Sequence, residues 1–426
     1  MKVFKFGGAS VKDAASVKNV ASVLRLFPKD QLVVVVSAMG KTTNALEVLV
    51  KACMEGKPRK ITQCMQELKT YHATIINGLF DKPQDALTDL ETQLGNMERF
   101  MKGNRSGQYD FVYDQLVSMG EVISTRIIAA YLNSIGFNCT WLDAREVIRT
   151  DGTFREGKVD WKTSSAQVKK AIHAVMDKKK GGRIVLTQGF IGSTPRKQTT
   201  TLGREGSDYT AAIFAHILDA EEVAIWKDVP GVLNADPKWF DDTVLLPQLS
   251  YRDAIELSYY GATVIHPKTI KPLENKKIPL KVKSFVHPRE KGTVIGHAGY
   301  KKLIPSFIFR INQALLSIQP KDFSFIAEEN LSLIFGLFSR HRIKINVMQN
   351  SAISFLVSVD HDDAKVKALV KDLSKHFNVD AVTGKLELIT IRYYDQKTID
   401  RVCVKKEVLL EQKSATTVQL VVRDIG

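Results

Sequence analysis

Short runs of consecutive apolar, mostly β-branched residues alternate with long amphipathic stretches over the first 295 residues. The runs Val3–Phe6, Leu32–Val36, Cys139–Leu142, Ile184–Leu186, Val223–Trp226 and Leu280–Ser284 predict strands. The stretches Ser10–Phe27, Thr43–Met54, Lys60–Leu79, Ala86–Met101, Asp110–Ile135 and Ser207–Leu218 repeat apolar residues at helical spacing and predict helices. Strands that are apolar throughout, rather than alternating, are covered on both faces. With helices between them they predict an α/β fold with a largely parallel sheet sandwiched by helices. Between residues 43 and 135 helix follows helix with no strand between, which predicts a helical lobe over one end of the sheet.

The pattern changes near Lys291–Ile304, where Gly292, Gly296 and Gly299 with Pro305 mark a hinge. Beyond it the elements shorten. Strands are predicted at Phe307–Ile311, Ala314–Gln319, Ile345–Gln349, Ile353–Val359 and Leu386–Tyr394, and helices at Phe323–His341 and Asp363–His376. A weak helical patch and a hairpin-like Glu407–Arg423 close the chain. The expected organisation is one large domain over 1–295 and one or two small α+β modules over 305–426.

Composition narrows the function classes. The 426 residues carry a net charge of +15, which suits nucleic acid, a membrane surface or small anionic substrates. The basic residues are dispersed apart from Lys178-Lys179-Lys180, which precedes Gly181-Gly182 and reads as a solvated helix end. Without an arginine-rich arm, a nucleic-acid partner is not expected. The cysteines 53, 64, 139 and 403 form no C-x-x-C pair, so no zinc site and a reducing compartment are expected. No run of 18 apolar residues is present, and Lys2-Val-Phe-Lys-Phe6 enters a strand pattern at once. Neither a membrane span nor a signal peptide is expected, and the location predicted is cytoplasmic.

The densest chemistry is Thr199-Thr-Thr-Leu-Gly-Arg-Glu-Gly-Ser-Asp-Tyr-Thr210, which runs straight into an apolar helix. Hydroxyls, glycine N–H groups, the Arg204 guanidinium and a helix N-terminus converge there, an arrangement that favours anions. A Ser-capped helix after a surface loop is the plainer alternative. Lys5-Phe-Gly-Gly-Ala-Ser10 sets a lysine at the end of the first strand, two glycines in the turn and Ser10 at an expected helix N-cap. Glycines let backbone N–H groups approach a phosphate while lysine supplies charge, though an ordinary strand–turn–helix would look the same. Val36-Ser-Ala-Met-Gly-Lys-Thr-Thr-Asn44 is not a P-loop, because that motif needs a glycine where Val35 stands. It remains a strand end bringing hydroxyls, Ser37 among them, to the carboxyl edge where ligands of open α/β sheets gather. Trp226-Lys-Asp-Val-Pro-Gly231, followed by Asp236-Pro-Lys238, is either a nucleotide-facing turn or a plain connection.

These segments, in this order and with these separations, resemble the aspartate kinases (aspartokinases) of the amino-acid kinase family. Val117-Ser-Met-Gly-Glu121, Thr187-Gln-Gly-Phe-Ile-Gly192 and Tyr260-Gly-Ala-Thr-Val-Ile-His-Pro267 add to the resemblance, which covers essentially the whole chain. It implies transfer of a phosphoryl group from ATP, with magnesium, to the side-chain carboxylate of L-aspartate, the first step towards lysine, threonine and methionine. By similarity Lys5, Phe6, Gly7 and Gly8 meet the phosphates, and Thr43 and Arg204 bind the substrate carboxylates. Glu121 takes the α-ammonium, with Ser37 nearby, and Ser207 and Asp208 line the reacting end. Lys227, Asp228, Leu233, Lys238 and Thr263 belong to the nucleotide pocket. Lys5 and Asp208 are the expected catalytic pair. No metal ligands are expected from protein side chains, and no general base, since a carboxylate nucleophile is already ionised at pH 7.

Ala9, Leu233 and Thr263 depart from the family pattern, which commonly has a threonine, an aromatic residue and a lysine there. The region after residue 300 is similar to the paired ACT modules of the family, with a second module that reads as truncated. That similarity implies a homodimer or larger homo-oligomer and an amino-acid effector, and leaves open which amino acid. Asn346, Gln349, Asn350 and Ser351 are candidates to grip it, or else polar edge residues of a dimer-forming sheet. No dehydrogenase-like stretch follows, so the monofunctional type is expected. Another small-molecule carboxylate kinase of the same superfamily and a catalytically weak amino-acid sensor are the alternatives.

Overall fold

A computed structural model describes residues 1–176, 184–262, 265–297, 303–322 and 324–426. The chain divides into two compact units. The first holds Met1–Val232, Leu245–Ile255 and Val264–Gly299; the second holds Leu233–Val244, Glu256–Thr263 and Tyr300–Gly426. The expectation for Lys178–Lys180 falls outside the described residues, as do Thr263, Phe323 and part of the expected hinge.

In the first unit the strands are β1 (Lys2–Phe6), β2 (Leu32–Val36), β3 (Cys139–Leu142), β4 (Ile184–Gln188), β5 (Ile191–Ser193), β6 (Thr199–Thr201), β7 (Glu222–Lys227), β8 (Gln248–Ser250), β9 (Leu280–Ser284) and β10 (Thr293–Gly296). The helices are α1 (Ala14–Arg25), α2 (Thr42–Met54), α3 (Pro58–Leu79), α4 (Gln84–Gly103), α5 (Tyr109–Ser134), α6 (Ala144–Val147), α7 (Trp161–Met176), α8 (Gly206–Leu218), α9 (Tyr251–Tyr260), which ends in the second unit, and α10 (Pro267–Asn275). The main sheet runs β3-β4-β2-β1-β7-β9-β10-β8 and is parallel except between β9 and β10. β2 and β4 are buried at every position because helices cover both faces, as their unbroken apolar runs require. α8 is buried almost all round. Its alanines at 211, 212 and 215 let it pack against β1 and β2 in the middle of the unit.

Two local expectations are corrected. Ser10 does not cap the first helix. A 3-10 turn, Gly8–Val11, intervenes, and Asp13 caps α1 by accepting from the Ser16 N–H at 2.7 Å. The helices α6, α7, α9 and α10 and the short strands β5, β6, β8 and β10 were not foreseen. β5 and β6 have three residues each, too few to show a period.

The second unit contains β11 (Ser306–Pro320), α11 (Glu328–Arg340), β12 (Ile345–Asn350), β13 (Phe355–Asp360), α12 (Asp363–Leu373), β14 (Phe377–Arg392), α13 (Gln396–Val402), β15 (Lys406–Lys413) and β16 (Thr417–Asp424). They form one six-stranded antiparallel sheet, β12-β13-β11-β14-β16-β15. The two predicted strands 307–311 and 314–319 are one strand, interrupted by an irregularity after Arg310 where Asn312 takes φ 58°. Among the described residues three apolar clusters lie on this sheet. One gathers Leu316, Ile318, Phe338, Val357 and Leu369 under α11 and α12, a second gathers Phe307, Ile389, Ile399 and Leu420 against α13, and a third gathers Leu315, Val347, Leu388 and Val421. Two α+β modules are therefore fused through the long strands β11 and β14. The weak helical patch of the sequence is α13, started by a capping box between Asp395 and Thr398. Among the described residues no helix is long and apolar enough to cross a membrane.

Candidate active site

Parallel register brings four strand ends level. Phe6 pairs with Val36 on one side and Trp226 on the other, and Val36 pairs with Gln188. The turns after β1, β2, β4 and β7 therefore emerge along one edge, the carboxyl edge at which α/β folds place ligands.

The first turn is shaped by its glycines. A Cβ on Gly8 would lie 2.9 Å from the carbonyl oxygens of both Ala38 and Gly40, so only glycine fits where the two turns meet. The Gly40 N–H donates to the Gly8 carbonyl at 3.0 Å and ties the turns together. A Cβ on Gly7 would come 3.3 Å from Lys5 Nζ, so the lysine folds back across its own turn. Ser10 Oγ donates to the Trp226 carbonyl at 3.3 Å, which anchors the turn to β7. The Phe6 ring is core, stacked 6.0 Å from Trp226, so Phe6 faces the site with its backbone.

Lys5 Nζ lies 2.7 Å from Asp208 Oδ1, and both side chains are largely shielded from water. Asp208 stands in the first turn of α8, whose preceding residue Glu205 holds φ 52°. Glu205 is pinned by the His266 N–H at 2.9 Å, and Lys268 Nζ donates to the Leu202 carbonyl at 2.9 Å. Ser207 is pressed against Gly189, where a Cβ would lie 2.4 Å from the serine Cβ. The strand end of β4 and the start of α8 are thereby clamped together. Arg204 projects from the intervening turn, exposed and without an ion pair among the described residues.

Glu121 lies on α5, buried among apolar neighbours. Its Oε2 has no hydrogen-bond partner. Burial pushes its pKa up to about 8, against the opposing pull of the Ala38 N–H and the Lys5 charge. Close packing holds it there: a Cβ on Gly120 would come 2.9 Å from Leu46, 3.0 Å from Thr42 and 3.2 Å from Ala38. Thr43 is half-buried in the first turn of α2, and Ser37 accepts from Ser124 Oγ at 2.8 Å through its carbonyl. Lys227 is half-buried and Asp228 exposed where β7 ends. Leu233 and Lys238 fall in the second unit, half-buried and exposed, with the Lys238 N–H bonded to Asp236 at 2.9 Å.

Asp114 was missed by the sequence reading. It is fully buried and accepts from the Thr201 N–H at 2.9 Å, the Thr201 hydroxyl at 2.7 Å and the Arg155 N–H at 2.9 Å, which fastens β6 beneath the turn leading to Asp208. Burial raises its pKa in spite of these donors. A signal was available: Asp114, Ser118, Glu121 and Thr125 recur every three to four residues along α5, so they share one face.

A strand-end lysine ion-paired to a helix-start aspartate, glycine turns, and a buried carboxylate with one oxygen unpartnered form a site for an anion beside a cation. The sequence of residues 1–284 matches the family model described as the amino acid kinase family. Aspartokinase 1, chloroplastic, of Arabidopsis thaliana is 32% identical over 403 residues, 91% of this chain and 68% of that protein. This chain belongs to the amino acid kinase family, among its aspartokinases. Its fold matches E. coli aspartokinase III in complex with aspartate and ADP (R-state), with a TM-score of 0.81 and 27% identity over 100% of this chain and 96% of that one. The same aspartokinase III in complex with lysine and aspartate (T-state) gives a TM-score of 0.83, again at 27% identity with 100% and 96% covered. Family membership therefore rests on residues 1–284 and on an identity that spans 91% of the chain, and the likeness of fold covers the chain to its C-terminal sheet.

Proposed function

We propose that this enzyme is an aspartate kinase that transfers the γ-phosphoryl group of ATP to the side-chain carboxylate of L-aspartate, giving 4-phospho-L-aspartate and ADP. The observation that carries this reading is Glu121: a buried carboxylate with one oxygen unpartnered, in charge contact with the Lys5 that marks the phosphate turn. Such a group is costly unless a cation arrives, and the α-ammonium of an amino acid is that cation.

The chain's own residues account for the transfer. The Gly7–Gly8 turn presents backbone N–H groups to the phosphates. Lys5, held by Asp208, neutralises charge that builds on the γ-phosphoryl oxygens. Glu121 fixes the amino acid by its ammonium, and Thr43 and Arg204 receive its carboxylates. The nucleophilic carboxylate is ionised, so positioning and charge neutralisation suffice without a base. Lys227 and Asp228 line the nucleotide pocket.

Magnesium fits as an ion carried on ATP. Among the described residues no group of three or more His, Cys, Asp or Glu side chains gathers, and Asp208 is already engaged by Lys5. That donor set suits an ion held by phosphate oxygens and water. Bound with ATP, magnesium would supply positive charge against the phosphates.

An amino-acid effector acting through the second unit is part of the same proposal. Gln349, Asn350 and Ser351 are exposed at the end of β12, an edge strand of the sheet, whereas Asn346 is engaged with Gln313 and Asp360 at 2.9 Å each. The open edges at β12 and β15 suit pairing in a homodimer, and four unpaired cysteines accord with a cytoplasmic location. The functional reading is tested by ADP release with L-aspartate, L-glutamate or UMP as sole acceptor; turnover confined to aspartate is expected.

A further inference from the structure

Two adjacent residues of the helical lobe, Tyr71 and His72 on α3, reach both glycine turns. The Tyr71 hydroxyl donates to the Lys12 carbonyl at 2.6 Å, just past the 3-10 turn Gly8–Val11. The same hydroxyl closes over Gly40, where a Cβ would lie 2.4 Å from it and where φ is +54°. Gly40 is also the residue whose N–H bonds the Gly8 carbonyl. Tyr71 therefore sits on the joint between the turn after β1 and the turn after β2, and is fastened to the first by a hydrogen bond.

His72 packs beside the second turn. It is fully buried, with Nδ1 2.8 Å from the Leu68 carbonyl and Nε2 3.5 Å from Thr42 Oγ1. The bond to Leu68 puts the ring proton on Nδ1, and burial drives the pKa down to about 4, so the ring is neutral. Thr42 in turn donates to the Met39 carbonyl at 2.6 Å, closing the turn that leads into α2. Further along α3, Gly78 abuts the first residue of α1: a Cβ there would lie 2.8 Å from that of Ala14. Core packing alone asks for apolar contacts. Here the lobe spends a hydroxyl on the backbone that follows the first turn.

We propose that Tyr71 is a positioning residue for phosphoryl transfer. Through the Lys12 carbonyl and the fit over Gly40 it fixes the spacing of the phosphate-binding turn against the turn that opens towards the acceptor. The inference rests on the reading of the Lys5–Gly8 turn as the phosphate cradle. Tyr71 touches no substrate in this account; it acts through the turn.

The test is Tyr71→Phe, which keeps the ring and removes the hydroxyl that bonds the Lys12 carbonyl and closes over Gly40. Binding of ATP and of AMP to the full-length protein is measured by titration calorimetry, beside the thermal midpoint. A loosened β/γ-phosphate cradle should weaken ATP about tenfold and AMP less than about twofold, with the midpoint within about 2 °C of wild type. A purely structural tyrosine would weaken both nucleotides equally or neither, and either result overturns the proposal. If the wild-type protein binds no ATP, the phosphate-cradle reading fails and the inference falls with it, a result separate from any difference between the two proteins.

Discussion

The Lys5 ammonium and the Asp208 carboxylate meet at 2.7 Å with about a tenth or less of either side chain exposed. Residues 5 and 208 stand at the ends of two different elements, a central strand and the helix packed behind it. A pair so placed holds the lysine in one orientation over its own glycine turn. Breaking it by removing one partner leaves the other charge shielded and alone.

Lys5→Ala should therefore lower kcat by several hundredfold, the effect of losing about 3–4 kcal/mol of charge stabilisation in the transition state. Asp208→Asn keeps Lys5 and loosens its aim, so its loss should be smaller. Steady-state kinetics on both variants, with circular dichroism to confirm the fold, decide the point. Near-normal kcat in folded Lys5→Ala would remove the assigned role.

In the proposed role Glu121 should make aspartate binding pH-dependent. Its pKa of about 8 in the empty site, against an ordinary 4.5, comes from burial. An ammonium bound beside it favours the carboxylate and lowers that pKa, so binding expels a proton below about pH 8. Aspartate should bind more tightly as pH rises from 6 to 8 and level off above. Calorimetry in buffers of differing ionisation enthalpy should detect the released proton at pH 7. For stability the sign is opposite. Folding takes up a proton between pH 4.5 and about 8, so the stability penalty of the buried carboxylate grows through that window. Glu121→Gln should gain thermal stability over wild type above pH 8 while losing aspartate affinity.

Gly8→Ala should damage both stability and activity. The added methyl would meet two backbone carbonyls at 2.9 Å, and backbone yields less readily than a side chain. Overpacking of this kind costs about 1–3 kcal/mol. Chemical denaturation should show that loss, and a weaker ATP affinity should accompany it.

Much of this was legible in the sequence, for identifiable reasons. Unbroken apolar runs such as Leu32–Val36 belong to strands covered on both faces, and the structure buries that strand completely. Lys5, Gly7, Gly8 and Asp208 stood out because strand-end and helix-start chemistry is local. Asp114 did not, since its partners Thr201 and Arg155 are distant in sequence and only the fold joins them. Ser10 misled for a local reason: a capping residue three positions before Asp13 imitates a helix start, yet the chain first makes a 3-10 turn. The long strands β11 and β14 were broken up in the sequence reading because polar Asn312 and the Gly384–Lys385 pair, all at positive φ, interrupt their alternation. Pairing with neighbours carries these strands past the interruptions.

An amino-acid effector should act through the second unit. Lysine, threonine and methionine titrated into the intact enzyme, with activity and binding heat followed together, should reveal at least one inhibitor. Exposed Asn350 at the end of β12 should contribute, so Asn350→Ala should weaken that inhibition about tenfold while leaving uninhibited kcat unchanged. Inhibition identical in the variant would remove Asn350 from the site.

The central claim is that the cation-seeking carboxylate Glu121 and the Lys5–Asp208 pair together select L-aspartate as phosphoryl acceptor. The most direct measurement is to trap the product. The purified enzyme is incubated with ATP, magnesium and L-aspartate or L-glutamate in the presence of hydroxylamine, and the hydroxamate is identified by mass. Formation of aspartyl-β-hydroxamate, dependent on ATP and on aspartate, is the predicted result. Glutamyl hydroxamate in its place, or ATP consumed with no acyl phosphate trapped from aspartate, would contradict the account.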